Sequence, residues 1–196
     1  MHPYSTDSDE RTKVPPVLAI LAIGCAIGVS WAFAQFGVDM PWWLPPLDTM
    51  GFYGLFHKLF DEFLWRWRPV RVLGGSRVPD LNGEWYGLVE PGNADHPGAR
   101  LDVVLTVRQT WTRIQIELKA NLSQSRSSAA FISSVDRQLK YFFTNVPGPA
   151  AVATMHVHDG VTTLEIDEER DRLTGSYFTG RDRQSFGAIE VSKSAH

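Results

Sequence analysis

The chain has 196 residues and a formal net charge of −3, with 19 Lys and Arg against 22 Asp and Glu. That balance, without any long run of Lys and Arg, excludes polymeric nucleic acid as a partner held by bulk charge. A single cysteine, Cys25, excludes an intramolecular disulfide and a cysteine-based metal site, and is compatible with a reducing compartment.

After a tail over 1–13, the first predicted element is an apolar helix over 14–38. Its centre, Val17 to Ala34, has Ser30 as its clearly polar side chain and rises roughly 27 Å at about 1.5 Å per residue, enough to cross a bilayer. Pro15 and Pro16 fall where a first helical turn tolerates proline, and Asp39 closes the uncharged stretch. A cleaved secretory signal is the rival reading, because Arg11 and Lys13 precede the run and Ala32-Phe33-Ala34 has an A-x-A form. Trp42 and Trp43, set among Pro41, Pro45 and Pro46, argue for an anchor, since amphipathic rings suit a lipid headgroup belt.

A second helix is predicted over 49–66, capped by Asp48 or Thr49. It is amphipathic, with Phe52, Phe56, Leu59, Phe60 and Phe63 set against a face of His57, Lys58, Asp61 and Glu62. The pattern fits either a second crossing that hides its polar face or a helix lying in the interface plane. The two segments define a membrane region over 14–68. Arg66, Arg68, Arg71 and Arg77 follow it, Arg11 and Lys13 precede it, and the connection between the helices has neither Lys nor Arg. The positive-inside rule then places the remaining domain in the cytoplasm under either topology.

Residues 79–196, about 118 in all, suffice for one domain with one core. Leu101, Val103, Leu105 and Val107 alternate with polar residues, as do Ile114, Ile116 and Leu118, which is the signature of half-buried antiparallel strands. Further strands are predicted over 84–90, 125–134, 138–145, 154–158, 161–167, 173–179 and 186–191, with turn signals such as Asp159-Gly160 and Gly180-Arg181-Asp182 between them. Short connections and no intervening helix predict an all-β, antiparallel up-and-down barrel of about eight strands. Its interior would hold side chains or one small ligand, and Arg and Ser within the strand that runs to Ser134 argue that it is not wholly apolar.

The domain opens with Leu81-Asn82-Gly83-Glu84-Trp85-Tyr86-Gly87, which has the G-x-W form of lipocalin-like barrels. Trp85 reads as a plug of the barrel floor in preference to a stacking platform. Met155-His156-Val157-His158-Asp159 puts two histidines on one strand face, but without a third ligand no metal site is assigned and a surface or turn-flanking role is expected. Glu165, Asp167, Glu168, Glu169 and Asp171 read as a solvated hairpin. With no G-x-S-x-G, Walker or Rossmann pattern, no enzymatic activity and no cofactor are predicted.

In their order along the chain, the two N-terminal segments, Pro79 to Gly87, Gln109-Thr110-Trp111-Thr112, Leu139 to Asn145 and Leu173 to Arg183 resemble the CBASS effectors known as SMODS-associating two-transmembrane, β-strand-rich proteins. The resemblance covers nearly the whole chain and implies an antiphage effector of the bacterial inner membrane. In that family picture a partner synthase makes a cyclic oligonucleotide on infection, the cytoplasmic barrel binds it, and the membrane segments homo-oligomerise and disrupt the bilayer. The polar face of the second segment departs from a plain second crossing.

A cyclic dinucleotide presents two phosphates and two bases, so its site needs cationic or N–H donors and aromatic faces. Tyr141, Asn145, Tyr177 and Arg181 are the leading candidate contacts, followed by Trp111 and Arg183. Tyr141 and Tyr177 read equally well as core, and stacking on Trp85 is an alternative reading of Arg183. Gly24 and Gly28 form G-x-x-x-G, a candidate helix-packing motif, with Ala22, Ala26 and Ala32 as further small residues. Two other readings stay open, a membrane-tethered lipocalin-like carrier of an apolar ligand and a solidly packed interaction module.

Overall fold

The computed structural model describes residues 1–37, 49–92, 100–149, 156–180 and 185–193. The chain divides into a helical unit, Ser8–Arg77, and a β unit made of Met1–Asp7 together with Val78–His196. The first seven residues of the expected 1–13 tail therefore belong with the strands.

The helical unit begins with α1, Glu10–Gln35, whose 26 residues rise about 39 Å. Among the described residues it is the one helix long and apolar enough to cross a bilayer. Because α1 starts at Glu10, Pro15 and Pro16 lie beyond its first turn, inside the helix, where each removes an N–H that would have paired four residues back. Val14, Leu18 and Ala22, spaced by one turn each, are buried, and α1 packs against α2, Thr49–Glu62. Ile20, Ile27 and Trp31 stay exposed, an apolar outer surface suited to lipid. Asp39, Trp42, Trp43 and Asp48 lie outside the described residues.

The helix expected over 49–66 is shorter than its hydrophobic pattern. After Glu62 the backbone turns at Phe63, a 3₁₀ turn covers Leu64–Arg66, and α3 follows over Arg68–Val72. The Arg66 guanidinium donates to the Glu62 carbonyl at 2.7 Å and so caps the end of α2. The unit is closed end to end by Glu10, whose buried carboxylate accepts the Arg77 N–H at 2.5 Å and the Ser76 hydroxyl at 3.4 Å.

The β unit has two short N-terminal strands, β1 (His2–Pro3) and β2 (Ser5–Thr6), and eight longer ones. These are β3 (Gly83–Pro91), β4 (Leu101–Gln109), β5 (Arg113–Ala120), β6 (Ser123–Ser133), β7 (Gln138–Pro147), β8 (His158–Asp167), β9 (Arg172–Thr179) and β10 (Phe186–Lys193). From β3 to β10 each strand pairs antiparallel with its successor, and β10 returns to β3 with Val191 opposite Gly87. This is a closed eight-stranded up-and-down barrel, as alternation and short connections require.

Trp85, Leu105, Leu139, Leu164, Leu173 and Val191 are all buried and fill part of the interior. The Trp85 indole N–H donates to the Leu81 carbonyl at 3.0 Å, and among the described residues Lys193 lies over its ring, 4.8 Å from the centroid. Of the separate strand expected over 154–158, the described residues His156 and Val157 are not in a strand. His158 opens β8, which continues unbroken through Asp159-Gly160, so that dipeptide is not a turn. Thr154 and Met155 lie outside the described residues.

Candidate ligand cavity

Alternation along the strands brings two kinds of side chain to one space inside the barrel, a cavity of about 160 Å³. The walls contributed by β3, β4 and β5 are aliphatic, with Val89, Leu101, Val103 and Leu118. The opposite wall is polar and aromatic. Tyr141, Phe143 and Asn145 point inward at every second position of β7, and Tyr177 and Thr179 do so on β9. A barrel with such a cavity is not packed solid, which removes the solid interaction module.

Asn145 sits at the centre of a polar row. Its register partner on β6 is Ser125 and its partner on β8 is His158, and all three line the cavity. Nearby, Thr179 and Ser185 are locked together: Thr179 N donates to the Ser185 carbonyl at 2.8 Å, and Ser185 N donates to Thr179 Oγ1 at 2.9 Å. Among the described lining residues none carries a fixed charge.

Two glycines make room for the aromatic rings. Gly160, opposite Phe143, would place a Cβ 2.4 Å from the Phe143 Cζ atom, and Gly187, opposite Tyr177, would place one 2.6 Å from the Tyr177 ring. Each ring therefore lies against bare backbone of the adjacent strand while also lining the cavity. Burial pushes the Tyr141 phenol up to about 12, a rise moderated by its hydrogen bond with Thr162, so at neutral pH it is a neutral hydroxyl.

The structure brings three of the sequence-predicted residues, Tyr141, Asn145 and Tyr177, into this one cavity. Trp111 is not among its lining. It is buried beside the β4–β5 turn, where its carbonyl accepts the Tyr4 hydroxyl at 2.9 Å, so it serves the core. Arg181 and Arg183 lie outside the described residues. Gly24 and Gly28 have open space beside them in α1, whereas Ala22 is buried within the helical unit and is not free to pack elsewhere.

Ser125, Phe143, His158, Thr162, Thr179 and Ser185 also line the cavity and were not singled out as contacts from the sequence. Period two already puts Phe143 on the strand face of Tyr141 and Asn145, and it sets Ser125 with Ser127 on the inner face of β6. Arg126 points outward to Glu117, at 3.0 Å, so the interior polarity of β6 comes from its serines and not from arginine. From the sequence His158 reads as a surface or turn-flanking residue beside an Asp159-Gly160 turn; the structure instead brings it to the cavity wall.

Two family models match the chain, one described as the Cap15 cyclic dinucleotide receptor domain over residues 76–193 and one as the Cap15 TM helices over residues 12–66. The chain is also similar to two proteins named CD-NTase-associated protein 15. That of Yersinia aleksiciae is 28% identical over 154 residues, covering 76% of this chain and 71% of the relative. That of Escherichia albertii is 23% identical over 145 residues, covering 69% and 73%.

Proposed function

As this chain belongs to the Cap15 family, with a cyclic dinucleotide receptor domain joined to transmembrane helices, we propose that its cavity binds a cyclic dinucleotide and that binding switches the membrane region in an antiphage response. The observation that carries this reading is the pairing of a polar row, Ser125-Asn145-His158, with two aromatic rings backed by glycine. A base has a flat face for stacking and an edge with donors and acceptors, and this wall supplies partners for both.

The cavity is smaller than the roughly 300–1,000 Å³ of pockets that enclose drug-sized ligands. One base therefore enters, stacked against Phe143 or Tyr177, with Tyr141 and Asn145 reading its edge, and the phosphates face outward. Arg181 and Arg183 belong to the segment that joins Thr179 to Ser185, two lining residues, and supply the phosphate contacts in this reading.

Both ends of the helical unit continue into the same β unit. A membrane region that leaves and returns on one side crosses an even number of times, which supports a second crossing in the part that contains α2. By the positive-inside rule the flanking arginines support a barrel on the cytoplasmic side, with the helices in the inner membrane. Ligand must then bind the assembled state more tightly than the separate one, since equal affinity would shift nothing. Homo-oligomerisation through the G-x-x-x-G face of α1 and disruption of the bilayer follow.

Calorimetric titration of the full chain in nanodiscs with a panel of cyclic di- and trinucleotides tests the reading. We expect one of them to bind tightly, with affinity at least about tenfold lower in Asn145→Ala and Tyr141→Ala, the loss of one or two hydrogen bonds to a buried ligand. No binding across the panel, with binding of a fatty acid instead, would replace it with the tethered carrier that the aliphatic wall would suit.

A further inference from the structure

Among the described residues the barrel has a weak seam between β5 and β6, and residues 2–6 fill it. β5 and β6 pair over Glu117–Arg126, Leu118–Ser125 and Lys119–Gln124, and beyond these the two strands part. There the Ile116 N–H finds the Ser127 hydroxyl, at 2.9 Å, in place of a backbone carbonyl. Residues 2–6 run into the gap: His2 and Pro3 pair antiparallel with Ile114 and Arg113, and Ser5 and Thr6 pair parallel with Phe131 and Ile132.

Side chains hold this strap along its whole length. His2 Nε2 lies 2.7 Å from Ser127 Oγ. Tyr4 is 3% exposed and its hydroxyl donates to the Trp111 carbonyl. The Asp7 carboxylate accepts the Ser133 hydroxyl at 2.6 Å and the N–H groups of Ser134 and Val135 at 2.8 and 3.1 Å. Ordering a seven-residue segment costs backbone entropy at every residue, and this many specific bonds mark a built attachment and not a fraying end.

The strap grips a strand that also lines the cavity. β6 contributes Ser123 and Ser125 to the lining, and Ser127, held by His2, is the register partner of the lining residue Phe143. At its other end the strap continues from Asp7 through Ser8 and Asp9 directly into α1 at Glu10. We propose that residues 2–7 are a rigid strap that transmits displacement of β6 by a ligand in the cavity to the transmembrane helix α1. The proposal rests on the ligand reading above for its trigger, but not for the mechanical link itself.

Two experiments on the full chain test it. In vesicles of phosphatidylethanolamine and phosphatidylglycerol holding a trapped dye, the probe is the cyclic nucleotide panel, and nucleotide binding is measured beside leakage. Six Gly and Ser residues inserted between Asp7 and Ser8 should leave binding within about twofold but cut ligand-induced leakage at least about tenfold, because a flexible linker carries no displacement. Ser5→Cys with Phe131→Cys, oxidised in a Cys25→Ala background, should leak like the unaltered chain. Unchanged leakage after insertion, or loss of leakage on locking, overturns the strap.

The second experiment needs no ligand, so it separates failure of the strap from failure of the ligand reading. Amide exchange in nanodiscs should rise in Tyr4→Ala both at residues 113–116 and in the first turn of α1. A rise confined to 113–116 overturns the link, whatever the nucleotide panel shows.

Discussion

Phe143 on β7 and Gly160 on β8 are register partners, and the ring of the first occupies the space that a side chain on the second would need. A Cβ at position 160 would also lie 2.7 Å from the Phe178 carbonyl oxygen. Gly160→Ala should therefore push the Phe143 ring into the cavity and cost about 1–3 kcal/mol of stability, the usual range for overpacking. Nucleotide affinity falls with it, and Phe143→Leu in the same chain should restore part of the stability but not the affinity, because the ring proposed to stack on the base is gone. Thermal unfolding and calorimetry read the two effects, and full affinity in Gly160→Ala would show that the ring position does not matter.

Tyr141 makes a prediction about pH. A phenol raised to about 12 stays protonated, and able to donate, across the alkaline range in which an ordinary tyrosine titrates. Nucleotide affinity should thus show no step attributable to Tyr141 up to pH about 10, the ordinary tyrosine value. Ultraviolet difference spectra comparing the chain with Tyr141→Phe should place its ionisation above the ordinary tyrosine value. A tyrosinate signal near pH 10 that disappears in Tyr141→Phe would contradict its burial.

Asp7 behaves in the opposite sense. Partial burial acts to raise its carboxyl, but the hydrogen bonds from Ser133, Ser134 and Val135 outweigh that, and the group is held below its ordinary 3.8. A carboxyl depressed in the folded state contributes stability above its unfolded value and loses it as pH falls through the folded one. The strap should consequently stay anchored at neutral pH and loosen at pH below about 4. Limited proteolysis after Thr6 or amide exchange at Ser134 and Val135 follows this, and Asp7→Asn should show the loosened behaviour at neutral pH.

A Cβ at Gly28 would meet nothing within 4 Å among the described residues. Gly28→Ile should accordingly leave insertion into the membrane intact while blocking close approach of a second α1. Cross-linking after nucleotide addition is expected to yield fewer oligomers, and undiminished oligomers would remove the G-x-x-x-G face from the assembly.

Much of the cavity was legible along the chain. Tyr141, Asn145 and Tyr177 converge because strand alternation is a local property, so residues two apart share a face wherever the strand lies. Trp111 could not be sorted the same way. Whether an aromatic beside a turn faces a cavity or the core depends on what covers it, and its cover includes Tyr4, 107 residues away. Asp159-Gly160 misled for a related reason, since glycine marks a turn or a close neighbour equally, and only the Phe143 ring distinguishes them.

The amino-acid sequence alone determined an apolar membrane-crossing helix, an amphipathic segment after it and a meander of about eight alternating strands, because each follows from the hydrophobic period of adjacent residues. Only the tertiary structure decided that Met1–Asp7 belong to the barrel. The bond from His2 to Ser127 spans 125 positions and the pairing at that seam is set by where β5 and β6 part company. Contacts at such separation leave no periodic trace in the sequence, since they depend on the closed shape of the barrel and not on neighbours along the chain.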